Sequence, residues 1–117
     1  MESTIRILNT TSLIDIEQEL KNIGVSKRGQ DIMREKLIFH VIKIEQVDTR
    51  AANILKQTML SQGAEAAVSA STVNLSASHT DVIVGATLKQ LRLAIVRLKE
   101  QPWGLKKIGE DLENMLL

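Results

Sequence analysis

The sequence predicts a single α/β domain: a mostly parallel or mixed sheet of four to five strands with about four helices, in the order β-α-β-α-β-β-α-α. Three observations carry that reading. Short β-branched runs alternate with segments whose apolar residues recur every three to four positions. Capping residues and glycines fall at the junctions between them. No internal repeat, linker or low-complexity tract divides the 117 residues, a length that suits one domain.

Ile5-Arg6-Ile7-Leu8 is short, apolar and β-branched, and reads as the first strand. Ser12 with Asp15 resembles a capping box and places a carboxylate where the helix dipole favours it. Leu13, Ile16, Leu20 and Ile23 give that helix its stripe, and Gly24 ends it. Ser26 to Lys36 is charged and contains Gly29, so it reads as a connection with one helical turn. Leu37 to Glu45 is apolar on both faces at its start, which predicts a central strand covered on both sides, its far end emerging into solvent. Asp48-Thr49 caps a helix over residues 50–62 with the stripe Ala51, Ala52, Leu55 and Met59, closed by Gly63. Glu65–Ser71 and Thr72–Ser76 read as weaker strands and Asp81–Ala86 as a stronger one. Thr87 with Gln90 forms a capping box for a helix with Leu88, Leu91, Ala94, Ile95 and Leu98 inward, which Pro102 ends. Leu105, Ile108, Leu112 and Met115 imply a last helix.

Composition removes several function classes. With 15 Lys+Arg against 14 Asp+Glu the net charge is +1, which provides no global pull towards nucleic acid or an anionic membrane. The chain has no cysteine, so neither disulfides nor thiolate metal ligands exist, in keeping with a reducing compartment. Met1-Glu2-Ser3-Thr4 is polar and acidic, unlike a secretory signal, and the longest uncharged stretch, residues 66–80, is too polar to span a bilayer. The expectation is a soluble cytoplasmic domain without nucleic-acid or membrane partners.

The chemistry-bearing residues are sparse. His40 sits in the most apolar strand and His79 in a polar turn, two distant imidazoles without thiolates to help them, so no metal site is expected. Ser78-His79-Thr80-Asp81 contains the residue types of a nucleophile and its base, but neighbours along extended chain point in alternate directions, and the same residues suit a turn. Gly85-Ala86-Thr87 lies where a strand meets a helix start, whose N–H groups can hold an anion; a single glycine makes close packing plus a cap the plainer reading. Between residues 88 and 107, Lys89, Arg92, Arg97, Lys99, Lys106 and Lys107 face one acid, Glu100, without interleaved aromatics, as on a solvated helix face. Carboxylates two apart, Glu17/Glu19 and Asp111/Glu113, do not face each other on a helix. No catalytic residue, cofactor or metal is assigned.

One block has a family look. Ala51-Ala52-Asn53-Ile54-Leu55-Lys56-Gln57-Thr58-Met59-Leu60-Ser61-Gln62-Gly63-Ala64-Glu65-Ala66-Ala67-Val68 resembles the accessory N-terminal region of long-form dihydropteroate synthases of some anaerobic bacteria and archaea. The resemblance extends to Thr80–Gln90, to Gln101-Pro102-Trp103-Gly104-Leu105, and upstream to Ile5–Leu8 and His40–Glu45; Asp48-Thr49-Arg50 departs from the proline-containing turn expected there. Such synthases condense p-aminobenzoate with a dihydropterin pyrophosphate in folate biosynthesis, on a Mg²⁺-dependent TIM barrel. A barrel takes about 250 residues, so this chain does not hold one. Asn9 in Leu8-Asn9-Thr10-Thr11 is similar to the start of the first barrel motif, but Ser12-Leu13-Ile14 does not continue it, and no barrel residue carries over.

The resemblance implies a non-catalytic accessory domain of a dihydropteroate synthase-like protein. Its work would be docking on the barrel in cis or in trans, self-association, or control of substrate access. The expected contact surface is Arg50, Asn53, Lys56 and Gln57, against which stands ordinary capping and solvent exposure. The alternative is a regulatory module that binds pterin, folate or phosphate at Gly85, Ala86 and Thr87.

Overall fold

The computed structural model describes residues 2–72 and 75–116; Met1, Val73, Asn74 and Leu117 lie outside the described residues. The element order is α1 (Leu13–Asn22), α2 (Lys27–Leu37), β1 (Phe39–Asp48), α3 (Thr49–Ser61), β2 (Glu65–Val68), a 3-10 turn (Ala70–Thr72), β3 (His79–Thr87), α4 (Leu88–Leu98) and α5 (Leu105–Leu116). Local chemistry sets the starts. Ser12 Oγ accepts the Asp15 N–H and Ser26 Oγ the Gly29 N–H, at 3.2 and 3.1 Å. The Asp48 carboxylate accepts from the Arg50 and Ala51 amides at the head of α3. Thr87 and Gln90 exchange side-chain and backbone bonds as a full capping box. Gly24 and Gly63, at φ +86° and +77°, supply the left-handed turns just past α1 and α3.

The sheet corrects the predicted fold class. Among the described residues it has three strands in the order β1-β3-β2, and both pairings are antiparallel. β1 and β2 do run in the same direction with α3 as the crossover, which is the pattern the alternation suggested. β3 then inserts between them in the opposite sense, and no parallel pair forms. Among the described residues five helices replace the expected four, because Lys27–Leu37 is a full helix rather than a connection; its N-cap serine outweighs Gly29. Ile5–Leu8 is in no strand. The predicted strand Glu65–Ser71 shortens to Glu65–Val68, and the predicted strand Thr72–Ser76 begins in the 3-10 turn and crosses residues 73 and 74, outside the described residues. The strand expected at the centre, β1, lies at an edge.

Burial follows the strand period. Val82, Val84 and Ala86 of β3 are buried on the inner face, with Ala66 of β2 and Val47 of β1. Against them pack Ala51, Ala52, Leu55 and Met59 of α3, Leu91, Ala94, Ile95 and Leu98 of α4, and Leu105 and Leu112 of α5. The small residues of α3 let its axis approach the sheet. On α5, Met115 is exposed and Gly109 is buried instead: a Cβ there would lie 3.2 Å from the Leu98 Cβ. The other face of the sheet is open, and Val41 and Ile83 are 71% and 47% exposed. A second, smaller cluster joins Ile16 and Leu20 of α1 to Ile38 and Leu88. β1 carries a bulge between Ile44 and Val47, where Gln46 takes φ 56° and its N–H donates to Asp81 Oδ1 at 3.0 Å. Among the described residues no helix is long and apolar enough to cross a membrane.

Candidate functional site

At the β3–α4 junction the backbone donors are largely committed. The Thr87 N–H donates to Gln90 Oε1 (2.9 Å), the Gln90 N–H to Thr87 Oγ1 (3.2 Å), and the Leu88 N–H to the Ile38 carbonyl (3.0 Å). An anion arriving at this helix start would compete with all three. Gly85 serves packing: a Cβ there would meet the Phe39 ring 3.2 Å away. Beside the junction opens a cleft of about 440 Å³ lined by Lys36, Gln62, Thr87, Lys89, Gln90 and Leu93. Lys36 comes from α2 and Gln62 from the end of α3, so neither was visible as a neighbour of Gly85–Thr87 along the chain. No ion pair is formed by Lys36 or Lys89 among the described residues, which leaves the cleft with two ammonium groups and two amides.

The four residues expected to form a contact surface fall on the first three turns of α3 but do different things. Arg50 is clamped by Asp48, Nε to Oδ1 at 3.2 Å and Nη2 to Oδ2 at 2.9 Å, and its guanidinium lies 4.8 Å from the centre of the Trp103 ring. Asn53 donates from Nδ2 to the Thr72 carbonyl at 2.9 Å and pins the 3-10 turn to the helix. Lys56 is half-buried, and Gln57 is exposed in a shallow depression with Asn53, Ile54, Thr58, Ser61 and Arg97. Trp103 is the part of this surface that helical periodicity missed. It sits in the α4–α5 turn at φ +57° and is 47% exposed, an aromatic–arginine pair of the kind enriched in protein interfaces.

The Asp48 carboxyl is pulled down to about 2, chiefly by the hydrogen bond from the Arg50 side chain, against the upward pull of desolvation, with the two amides of α3 and the Arg50 charge adding to the lowering. Arg50 is raised in turn by the same partner.

Neither histidine is joined to a catalytic set. Ser78 Oγ contacts His79 Nδ1 at 3.1 Å, but both residues are exposed, and the carboxylate opposite His79 in the strand register, Asp48, is committed to Arg50 and the α3 amides. The Ser78 carbonyl accepts the Thr49 N–H at 3.1 Å, so this segment works as a turn that holds the start of α3. Among the described residues no group of three or more His, Cys, Asp or Glu could hold a metal ion.

No protein-family model and no solved structure matches the chain. Two curated proteins do. A bifunctional dihydropteroate synthase/dihydropteroate reductase of Helicobacter pylori is 32% identical over 101 residues, 86% of this chain and 27% of the relative. A probable bifunctional folylpolyglutamate synthase/dihydropteroate synthase of Halobacterium salinarum is 35% identical over 105 residues, 90% of this chain and 13% of the relative. The chain thus spans about a quarter and about an eighth of the lengths of these relatives. The resemblance read from the Ala51–Val68 block holds at this level: the chain corresponds to a segment of proteins that carry dihydropteroate synthase.

Proposed function

From the premise that this chain corresponds to a segment of bifunctional dihydropteroate synthase proteins, we propose that it is the non-barrel module of such a fusion, joined in cis to the synthase domain and serving folate biosynthesis. The observation that supports this reading is one of size. A relative of which 101 residues make up 27% is about 370 residues long, and a synthase barrel takes about 250 of them. The remainder matches the present chain in length. The two relatives share the synthase and differ in the second activity, which ties the common segment to the synthase.

The work we assign to the module is mechanical: docking on the barrel, assembly, or control of access to its substrate. Arg50, Asn53, Lys56 and Gln57, with Trp103 beside them, form the contact surface in this reading. A second reading is favoured by the name of the Helicobacter pylori relative, whose length leaves no third unit to host its dihydropteroate reductase activity. Reduction needs a hydride, which a bound redox cofactor supplies; the protein contributes a cleft and orientation rather than a nucleophile. The cleft with Lys36, Gln62, Lys89 and Gln90 suits such a role, and equally the binding of a pterin, a folate or phosphate next to Gly85, Ala86 and Thr87.

One set of measurements separates these readings. The chain is titrated calorimetrically with its cognate synthase domain, and dihydropteroate reduction is followed with reduced nicotinamide and reduced flavin as donors. Domain binding that Arg50→Glu with Lys56→Glu abolishes, without reduction, supports the mechanical role. Reduction lost in Lys36→Glu with Lys89→Glu supports the second reading. If neither binding nor reduction occurs, both fail.

A further inference from the structure

The N-terminal segment and the outer edge of β1 are both unpaired, and they fit one another. Ile5 and Ile7 are 96% and 98% exposed, and residues 3–8 make no backbone hydrogen bond among the described residues. The segment is held away from the sheet: Asn9 Oδ1 accepts from the Thr11 N–H and hydroxyl at 2.9 and 2.8 Å, and Arg6 pairs with Glu19 of α1 at 2.8 Å. Apolar and alternating, it is a strand without a sheet.

The receiving edge is defined by two hydrogen bonds. The Phe39 N–H donates to the Thr10 carbonyl, while the Ile38 carbonyl accepts from Leu88 on the opposite side. Backbone groups alternate in direction along a strand, so those of Val41, Lys43 and Glu45 face outward. The bulge at Gln46 ends this straight edge. Phe39 and Val41 are 40% and 71% exposed, an apolar edge of the kind that folded proteins cover.

Where a second copy's Thr10 takes the place of this chain's own on Phe39, the antiparallel ladder opposes the incoming Leu8 to Val41 and the incoming Arg6 to Lys43. Ile7 and Ile5 then fall on the core face beside the half-buried Ile42 and Ile44, and Leu8 falls beside Val41 on the open face. Lys43 lies 3.7 Å from Glu45 and 3.9 Å from Asp81, a group with one negative charge in excess, which the incoming Arg6 balances on leaving its own Glu19.

We propose that residues 4–8 of a second copy of this chain occupy the outer edge of β1 as a fourth, antiparallel strand, and that the exchange is reciprocal. Each copy's own segment is tied to α1 and presents its isoleucines outward, so each molecule offers one strand and one edge. A two-fold exchange satisfies both and closes.

The chain has no cysteine, so a Leu8→Cys/Val41→Cys variant reports the pairing cleanly. Opposed residues of an antiparallel pair lie about 5.5 Å apart at Cα, within reach of a disulfide. Oxidation is expected to give a covalent dimer on a non-reducing gel, and light scattering of the unaltered chain to give twice 13.0 kDa. A disulfide closed within one copy would show that the segment folds back on its own edge, and would overturn the exchange. Absence of any disulfide, or an unaltered chain that stays monomeric, would overturn the pairing itself. Ile5→Lys/Ile7→Lys and Val41→Pro are each expected to weaken dimerisation at least tenfold while circular dichroism stays native. Proline is tolerated at an edge position whose N–H faces outward. A dimer unaffected by both changes would refute the proposal.

Discussion

The half of the molecule built on the sheet and the half that precedes it use the same residue types with different results. In the body, Ala51, Ala52, Leu55, Met59, Leu91 and Leu98 are fully buried in one core cluster shared with the sheet. In the arm of α1 and α2, Leu13 and Ile23 remain 41% and 76% exposed, and α2 contributes no buried side chain. Ion pairs supplement the small cluster there: Arg34 to Glu17 at 3.0 Å between the two helices, and Glu35 to Arg92 of α4. Exposed pairs of this kind contribute about 0–1 kcal/mol each. An amphipathic stripe is therefore worth what the opposing surface can cover, and in the arm Ile16 and Leu20 meet only two buried residues, Ile38 and Leu88.

The largest effect is expected in the body. Leu55→Ala should cost about 3–5 kcal/mol in urea unfolding, because a fully enclosed site collapses poorly. Ile16→Ala in the arm should lie near the low end, about 2 kcal/mol, since the cluster opens to solvent. Equal values for the two would mean that arm and body are packed alike. Gly109→Ala should destabilise by about 1–2 kcal/mol despite better helix propensity, as the added methyl presses on Leu98 and the Lys99 backbone. Thr87→Ala, which opens the capping box of α4, should cost about 1 kcal/mol in the same assay. Glu17→Gln should change global stability by less than about 1 kcal/mol, yet speed amide exchange in α1 and α2 ahead of α3.

Acid probes the junction of β1 with α3. The Asp48 carboxyl titrates lower in the folded chain, at about 2, than the 3.8 of a free side chain. The unfolded chain therefore binds the proton first, so the stabilisation is complete above pH 4 and fades as pH falls towards 2. Asp48→Asn should flatten that part of the pH–stability curve, measured by denaturant titration from pH 5 to pH 2.

Legibility followed the same division. The stripes of α3 and α4 were readable because every apolar position found a partner, and Thr87 with Gln90 marked a boundary that the structure keeps. Topology was less visible. The run from Leu37 looked central because Phe39 and Val41 are apolar on the face opposite Ile42 and Ile44, yet β1 lies at an edge with that face open. The insertion of β3 between β1 and β2 leaves no mark on the period of any strand. Around the cleft, Thr87 was identified from its cap, whereas Lys36 and Gln62 arrive from elements distant in sequence. The Arg50–Trp103 contact likewise joins a helix start to a turn more than fifty residues away, where a left-handed tryptophan is not a pattern that periodicity reports.

Trp103 is the chain's single tryptophan, and the chain has no tyrosine. Its fluorescence consequently issues from one place, the ring beneath the Arg50 guanidinium, with no second emitter to dilute the signal. Whatever lands on that corner, or loosens the turn between α4 and α5, writes itself directly into the emission spectrum. The molecule carries its own optical gauge at the surface where a partner would first be sought.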